Sequence, residues 1–311
     1  MINRLRQLLK RLRTGEQADT PTIDAIGHFV LQRWRNSELR AENIKAIRSL
    51  CRAVYLGNST ACCRVLGRFP MFVDTDDIHL GVRLQMDGFW EAPITEWVSR
   101  AARPGKTMLD VGANYGYFTL LMAHLVGPDG KVWAFEPNPR IMDLLRESIH
   151  HSGYASRIKT KCVALDAKRG QLPFRQHSTS PMNAHLLSAD ELEQEHILVK
   201  TRTLDEIIPE GTQIDFIKVD IEGAERNFWI GAQRVIADNP AIEILMEVNY
   251  RRYDQPEIFF TEIIENGFVL REITAPSGQL QKVTPQQLLD PAKKGHRMLL
   301  LRRDATQQLS P

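Results

Sequence analysis

Four acidic residues stand at or near the ends of apolar segments that have the length of buried strands. Asp110 follows "TML", Glu136 closes "VWAFE", Asp220 closes "IDFIKVD" and Glu247 lies in "EILMEV". Because the carboxyl ends of parallel strands meet at one edge of a sheet, we expect these carboxylates to lie around a common cleft. A cleft lined with carboxylates favours a ligand that carries positive charge.

The loop after the first of these strands, "DVGANYG", distinguishes between two classes of ligand. A dinucleotide loop has the pattern G-x-G-x-x-G, but here the second glycine is missing, and Asp110 would repel a pyrophosphate. S-adenosylmethionine offers an ammonium and a sulfonium to the acid, and its carboxylate suits the free amides where the next helix begins. Gly112 can adopt a positive φ and lets a ligand approach the backbone. The loop therefore predicts S-adenosylmethionine as the cofactor.

The next two strands provide candidate contacts for the nucleoside. Glu136 is predicted to accept hydrogen bonds from both ribose hydroxyls, and Asn138 can cap the following helix. The third strand ends in "KCVALD", where Val163 and Ala164 could form an apolar slot for adenine. The complete set of predicted cofactor-binding residues is Asp110, Gly112, Ala113, Asn114, Tyr115, Gly116, Phe118, Thr119, Glu136, Pro137, Asn138, Val163, Ala164 and Asp220.

A second concentration of charge, "KVDIEGAE", supplies the candidates for catalysis. Side chains alternate along a strand, so Lys218 and Asp220 are expected on one face. Asp220 is the first candidate for a general base, Glu222 and Glu247 are further candidates, and His185 is a rival in the irregular segment 166–196. Glu247 could equally hold the substrate or pair with Lys218. No spacing of these residues requires a metal, and none is predicted.

From Lys106 onward, short apolar segments alternate with segments of helical periodicity, which predicts βαβ units and a mostly parallel sheet covered on both faces. "GAERNFWIGAQRVIADN" is interpreted as one helix, with Glu222 and Glu225 projecting from the same side at its start. The stretch 166–196 is expected to be irregular, and "ILVKTRTL" to be an inserted strand.

The chain is expected to divide into three parts: a helical and hairpin extension over 1–100, a cofactor-binding domain over 101–303 and a tail over 304–311. Within the extension, 1–60 reads as mostly helical and 61–90 as a small hairpin or two. The extension is a candidate for substrate or oligomer contacts. Residues 1–13 form a basic amphipathic pattern, which predicts either a helix packed on its own domain or weak contact with an anionic membrane surface.

Bulk composition excludes several classes of protein. The formal net charge of +2 over 311 residues gives no global indication of a nucleic-acid partner. The four cysteines have no metal-ligand spacing, and reduced thiols predict a cytoplasmic setting. No apolar run reaches the roughly 18 residues of a membrane-spanning helix.

The assembled motifs resemble those of the FkbM family of S-adenosylmethionine-dependent methyltransferases. "LDVGANYGYFTLLMA" is similar to the family's first cofactor motif, "VWAFEPNP" to its second, and "IDFIKVDIEGAERNFWIGA" to its most distinctive signature. The resemblance covers roughly residues 105–250 and leaves 1–85 outside. It implies a seven-stranded Rossmann-like sheet of the class I methyltransferases, in which the last strand runs antiparallel.

The resemblance also implies O-methylation of a hydroxyl on a sugar, glycan or other natural product. The expected partner is therefore a small-molecule or glycan acceptor. A methyltransferase directed at nitrogen or carboxyl groups is the first alternative, and a catalytically silent module that binds S-adenosylmethionine is the second. The sequence does not identify the acceptor.

Overall fold

The structure is a computed structural model that describes residues 20–175, 196–292 and 295–304. Residues 1–13, His185 and nearly all of the predicted tail lie outside these ranges, so the predictions made for them are untested. No helix in the described ranges is both long enough and apolar enough to cross a bilayer.

The N-terminal part of the chain contains two short 3-10 helices and then a mixture of helices and strands. Its regular elements are α1 (Arg40–Leu50), β1 (Ala53–Gly57), β2 (Thr60–Val65), β3 (Phe69–Asp74), α2 (Leu80–Asp87) and α3 (Ala92–Ala101). The three strands form an antiparallel sheet in the order β1-β2-β3. The expectation of a mostly helical 1–60 is wrong at β1, and α2 lies where only hairpins were expected. The difference at β1 reflects pairing, because β2 has β1 on one side and β3 on the other.

Two polar contacts join this small sheet to the helix that follows the second strand of the main sheet. The amide of Phe72 donates to Ser148 Oγ at 2.9 Å, and the guanidinium of Arg140 lies 3.1 Å from the carboxylate of Asp74. The N-terminal part is therefore fixed against the same helix whose start carries residues of the second predicted cofactor motif.

The rest of the chain alternates strands and helices. The strands are β4 (Thr107–Val111), β5 (Lys131–Phe135), β6 (Ile158–Lys161), β7 (Ala164–Leu165), β8 (Gly170–Arg175), β9 (His196–Arg202), β10 (Phe216–Val219), β11 (Glu243–Val248), β12 (Phe268–Thr274), β13 (Gln279–Lys282) and β14 (Arg297–Arg303). The helices are α4 (Tyr117–Leu125), α5 (Pro139–His151), α6 (Leu204–Ile207), α7 (Glu225–Ile230), α8 (Gln233–Asp238), α9 (Pro256–Glu265) and α10 (Pro285–Leu288).

Eight strands form the main sheet in the order β6-β5-β4-β10-β11-β14-β12-β13. β4, β5, β6, β10 and β11 run parallel, whereas β14 is antiparallel to both of its neighbours. The predicted Rossmann-like sheet with an antiparallel last strand is therefore confirmed. The eighth strand, β13, extends the sheet at its edge by pairing with β12, and the sequence analysis did not anticipate it.

Successive residues of the central strands point into two separate apolar cores, one on each face of the sheet. Met108 and Phe216 belong to the core that contains α4, α5 and the N-terminal elements, whereas Leu109 and Ile217 belong to the core that contains α7, α8 and α9. Strands buried on both faces need near-continuous apolar sequence, which β10 has apart from Lys218. An internal lysine at this position must therefore have a charged partner.

The region read as one helix after β10 consists of two short helices that are separated at Gly231. A Cβ atom on this glycine would stand 2.2 Å from the backbone oxygen of Asp166, and the Gly231 carbonyl accepts the amide of Asp205 at 3.0 Å. The helix is interrupted at Gly231, where the neighbouring segment 203–205 packs against its backbone. The expected irregular stretch 166–196 also contains β8, which pairs antiparallel with the inserted strand β9.

Gly112, at the end of β4, is required by a contact between two backbones. Its φ is +79°, and a Cβ atom there would lie 1.9 Å from the carbonyl oxygen of Asp220 at the end of β10. The glycine thus lets the two central strand tips approach each other. Gly112 also lines the cleft, so the close approach of a ligand expected from the sequence stays a prediction.

We expect Gly112→Ala to lower the free energy of unfolding by at least about 3 kcal/mol, because the substitution combines a left-handed backbone with a steric overlap that neither strand can relieve. Gly105→Ala is the matched control, since Gly105 has a φ of +80° and nothing within 4 Å of the added atom. The control should lose only about 1 kcal/mol. Urea denaturation measures both, and equal losses would contradict the proposed backbone contact.

Candidate functional site

A cleft opens at the carboxyl ends of β4, β5, β10 and β11. The strand order changes direction at β4, because β5 and β6 lie on one side of β4 and β10 and β11 lie on its other side. Such a switch point is where open α/β sheets bind ligands. The sequence-predicted residues that line the cleft are Gly112, Ala113, Asn114, Tyr115, Phe118, Glu136, Pro137, Val163, Ala164, Asp220, Glu222 and Glu247.

Backbone hydrogen bonds hold the loop after β4 against the tip of β5. The amides of Gly112 and Ala113 donate to the carbonyl of Phe135 at 3.0 and 2.9 Å. The amide of Asn114 donates to Glu136 Oε2 at 3.0 Å. A change at either strand tip would therefore move the other, and the loop has one defined position above the sheet.

Glu136 is a buried carboxylate with only 7% of its surface exposed. Its Oε1 accepts the amide of Asn138 at 2.9 Å, in addition to the bond from Asn114. Burial raises the pKa of Glu136 to about 7, although these amide hydrogen bonds favour the charged form. Each oxygen retains a further lone pair, so the carboxylate can accept the two hydroxyls of a ribose, as predicted.

Asp110 does not line the cleft. Its Oδ2 accepts the hydroxyl of Thr119 at 2.6 Å, and the pair lies beneath the loop. The other oxygen, Oδ1, is buried and has no hydrogen-bond partner in the described part of the chain. Burial raises the pKa of Asp110, and the nearby charge of Lys218 opposes that shift. The acid expected to meet the ammonium is thus turned toward the protein interior.

Lys218 is 2% exposed and provides the positive charge at the base of the cleft. Its Nζ lies 3.0 Å from Asp220 Oδ2 and 4.9 Å from the ring centroid of Phe118. Burial opposes the charge, but Asp220 and Asp110 raise the pKa of Lys218 above its usual value. Burial alone would raise the pKa of Asp220, and the ammonium instead holds it below its usual value. Asp220 is therefore the ionised partner of a buried lysine.

A second acidic pair lies beside Asp220. Glu247 Oε2 is 3.0 Å from His296 Nδ1, and Glu222 accepts a charge-assisted hydrogen bond from Arg252. Burial, with the adjacent charge of Asp220, raises the pKa of Glu247 to about 8. The pKa of Glu222 is raised for the same two reasons. Ligand atoms of Glu222, Glu247 and His296 lie within 4.8 Å of one another. Each acid already has a cationic partner, so the cluster does not require an ion.

Glu222 and Glu225 do not share a side, because the helix begins only at Glu225. Glu222 has a φ of +56° and points toward the cleft. Glu225 is buried, accepts the amide of Gly223 at 3.1 Å and receives the hydroxyl of Tyr253 at 2.8 Å. Glu225 thus closes the turn after β10, and its role is structural.

Three predicted cofactor-binding residues other than Asp110 also lie away from the cleft wall. Thr119 holds Asp110, Asn138 caps α5 by accepting the amide of Arg140 at 3.0 Å, and Gly116 begins α4 with a φ of +95°. A Cβ atom on Gly116 would approach Leu145 to 2.3 Å. These residues hold the loops in place, and other residues of the same loops line the cleft.

The sequence analysis missed several residues of the cleft. The N-terminal part contributes Leu80, Trp90 and Glu91 to the lining, and His296, just before β14, supports the lining residue Glu247. His296 could have been found, because an antiparallel last strand starts at the edge where the parallel strands end. Glu91 has no such signal, since its place depends on how α3 packs.

Comparisons with known proteins agree with this architecture. The sequence profile described as "Methyltransferase FkbM domain" matches residues 110–272, about half of the chain. The chain is 29% identical over 176 residues to the 31-O-demethyl-FK506 methyltransferase FkbM of Streptomyces tacrolimicus, covering 47% of this chain and 66% of that one.

Shorter matches extend to other methyltransferases. The chain is 38% identical over 68 residues to a protein-L-isoaspartate O-methyltransferase of Aeropyrum pernix, covering 22% of this chain and only 25% of the relative. The solved structure of Aeropyrum pernix fibrillarin with natively bound S-adenosyl-L-methionine aligns with a TM-score of 0.37 and 12% identity, over 65% of this chain and 68% of that chain.

The sheet order and the cleft at its switch point define a Rossmann-like α/β fold with a ligand site at the carboxyl ends of its central strands. Within that class, the chain belongs to the FkbM methyltransferase domain family. The family, the fold and the cofactor predicted from the sequence are thereby confirmed.

The cleft fits this cofactor in its polarity as well as in its position. Glu136 would hold the ribose, and an apolar wall would hold the adenine. That wall consists of Val163, Ala164, Leu165 and Phe174. The end near β10 combines the ammonium of Lys218 with several carboxylates, which suits a group that carries charges of both signs.

We expect Lys218→Met to lower the free energy of unfolding by about 3–5 kcal/mol, because Asp220 and Asp110 would be left without their buried counter-charge. The loss should be larger at pH 8 than at pH 5, since the uncompensated acids would be raised in pKa and would accept protons at the lower pH.

Lys106→Met is the control for this prediction. Lys106 is half-exposed and pairs with Asp215 at 2.6 Å, so its removal should cost at most about 1 kcal/mol. Chemical denaturation at the two pH values measures both variants. A Lys218 variant as stable as the control would refute the role assigned to the buried ammonium.

Proposed function

We propose that this protein transfers a methyl group from S-adenosylmethionine to a hydroxyl oxygen of a small-molecule or glycan acceptor. The observation that carries the proposal is the carboxylate of Glu247, which lines the cleft and has its pKa raised to about 8. An alcohol must lose a proton on methylation, and a base with a pKa near the working pH removes it most effectively.

The positions of the strand tips support separate regions for the cofactor and the acceptor. Glu136 and Glu247 end strands that are three strand spacings apart in the sheet, about 14 Å. The nucleoside would lie toward Glu136 and the acceptor toward Glu247. Asp220 and Lys218, on the strand between them, would face the region where the two ligands meet.

Among the candidates for the base, the contacts favour Glu247 over Asp220. Asp220 is the partner of a buried ammonium, which keeps its pKa low and makes it a weak base. Glu247 contacts His296, whose pKa is raised by the hydrogen bond with Glu247. His296 would stabilise the carboxylate and keep it oriented toward the cleft. His185 lies outside the described residues and remains a rival.

The cofactor, when bound, supplies a methyl group that its sulfonium has already activated toward nucleophiles. The work left to the chain is to align the acceptor, to exclude water and to accept the proton. In this scheme Glu247 takes the hydroxyl proton on one carboxylate oxygen. Asp220 and Lys218 remain an ion pair throughout and fix the electrostatic environment.

The printed names of two relatives support different acceptors. The Streptomyces tacrolimicus relative is named for a demethylated hydroxyl of FK506, which favours O-methylation of a natural product. The Aeropyrum pernix relative is named for isoaspartate, so a carboxyl acceptor is the second candidate. A carboxylate acceptor is already deprotonated and would not need Glu247 as a base. A nitrogen acceptor and a silent binding module remain the predicted alternatives.

The test is to incubate the protein with methyl-labelled S-adenosylmethionine and extracts of its host, and then to treat the labelled products with alkali. A methyl ether retains its label, whereas a methyl ester releases labelled methanol. Mass spectrometry and the carbon chemical shift of the new methyl distinguish oxygen from nitrogen. Release of all label as methanol, or a methyl bound to nitrogen, would overturn the proposal.

With the acceptor identified, Glu247→Gln should lower turnover by roughly 10²–10⁴-fold while leaving the affinity for S-adenosylhomocysteine nearly unchanged. Wild-type turnover should rise with pH up to about pH 8, as Glu247 loses its proton. Glu243→Gln is the matched control, because Glu243 lies on the same strand and pairs with Arg302 at 2.8 Å away from the cleft. Equal turnover in the two variants would remove Glu247 as the base.

A further inference from the structure

Glu91 stands between α2 and α3 and lines the cleft opposite the motifs of the family profile. Its side chain is half-buried, and its carboxylate has no hydrogen bond and no ion pair among the residues that the structure describes. Only its backbone carbonyl is used, by the amides of Ile94 and Thr95 at 2.9 Å each. A carboxylate that lines a cleft without a partner among the described residues is free to accept a hydrogen bond from a ligand.

The backbone at Glu91 is also in a conformation that residues with side chains seldom adopt. Its φ is +40° and its ψ is +69°, immediately before the first residue of α3. Non-glycine residues in this region cost free energy and concentrate at ligand-binding sites. Glu91 in this conformation lines the cleft together with Trp90.

The charges around Glu91 favour the arrival of a cation. Burial and the negative charge of Asp220 raise the pKa of Glu91 to about 7, and Glu222 acts in the same direction. Lys218 and His296 oppose the shift, but Lys218 is already paired with Asp220 and His296 with Glu247. A ligand cation next to Glu91 would offset the repulsion between the Glu91 carboxylate and the negative charges of Asp220 and Glu222.

Asp110, the acid that the sequence assigned to the cationic part of the cofactor, is not available in the cleft. It is bonded to Thr119 and lies beneath the loop. S-adenosylmethionine carries an α-ammonium as well as its sulfonium, and each needs a negative environment. Of the acids that line this part of the cleft, Asp220, Glu222 and Glu247 have cationic partners, whereas Glu91 has none within the described part of the chain.

The geometry points to Glu91, rather than Asp110, as the counter-ion of the α-ammonium of S-adenosylmethionine. The N-terminal part of the chain, which lies outside the family profile, would thereby complete the cofactor site. This inference rests on the cofactor, not on the acceptor. If the protein bound S-adenosylhomocysteine through Glu91 but methylated no hydroxyl, the proposed function would be wrong. The assignment of Glu91 to the α-ammonium would still hold.

The test is calorimetric and needs no acceptor. The probes are S-adenosylhomocysteine and its deamino analogue, in which hydrogen replaces the amino group. Glu91→Gln should weaken S-adenosylhomocysteine by roughly 10-fold or more, the effect of losing one charge-assisted hydrogen bond, and should change the deamino analogue by less than about 2-fold. Asp87→Asn, which removes an acid paired with Arg48 outside the cleft, should leave both affinities unchanged.

Two further measurements guard against a misfolded variant. Glu91→Gly removes the carboxylate and relieves the positive φ, so this variant should fold well. It should also lose affinity for S-adenosylhomocysteine but not for the deamino analogue. In the wild type, the preference for S-adenosylhomocysteine over the deamino analogue should shrink as the pH falls below about 7, and in Glu91→Gln it should not. An equal loss for the two probes, or none for either, would overturn the assignment.

Discussion

A buried ammonium surrounded by acids is the constraint on which the site depends. Lys218 lies on the central strand of the sheet, where almost every other side chain is apolar, and its charge is tolerated only because Asp220 pairs with it and Asp110 lies on the neighbouring strand. The same arrangement keeps Asp220 ionised, which explains why a carboxylate at the tip of a central strand need not be the base. The electrostatics of the whole cleft follow from this pair.

The carboxylates of the cleft differ because their partners differ. Asp220 has a lysine and is held in its charged form, Glu247 has a histidine and a raised pKa, and Glu136 has backbone amides only. Glu91 has no hydrogen-bond partner for its carboxylate in the described ranges 20–175, 196–292 and 295–304. Four acids of one chemical type can therefore serve the ribose, the ammonium, the acceptor proton and the internal lysine. This division of roles combines the cofactor assignment with the two proposals made above.

The N-terminal part of the chain is more than an appendage, because it contributes a wall of the cleft. Trp90 and Glu91 reach the site just before α3, and contacts from Phe72 and Asp74 fix the small sheet on α5. Relatives that share only the region of the family profile need not share this wall. The selectivity of the cleft for its ligands would then depend on residues 20–100 as much as on the motifs of the family profile.

The sequence by itself determined the alternating strands and helices, the family, the cofactor and the acids at the strand tips, because each depends on local periodicity or on a compact motif. It did not determine which way those acids face. Asp110 turns inward because Thr119, one helical turn into α4, donates to it, and Glu222 separates from Glu225 because the helix starts later than its pattern suggests. Glu91 and His296 come to the cleft from distant parts of the chain. The antiparallel direction of the last strand could have indicated His296, but only the packing of α3 places Glu91 at the cleft, since no spacing in the sequence encodes that contact.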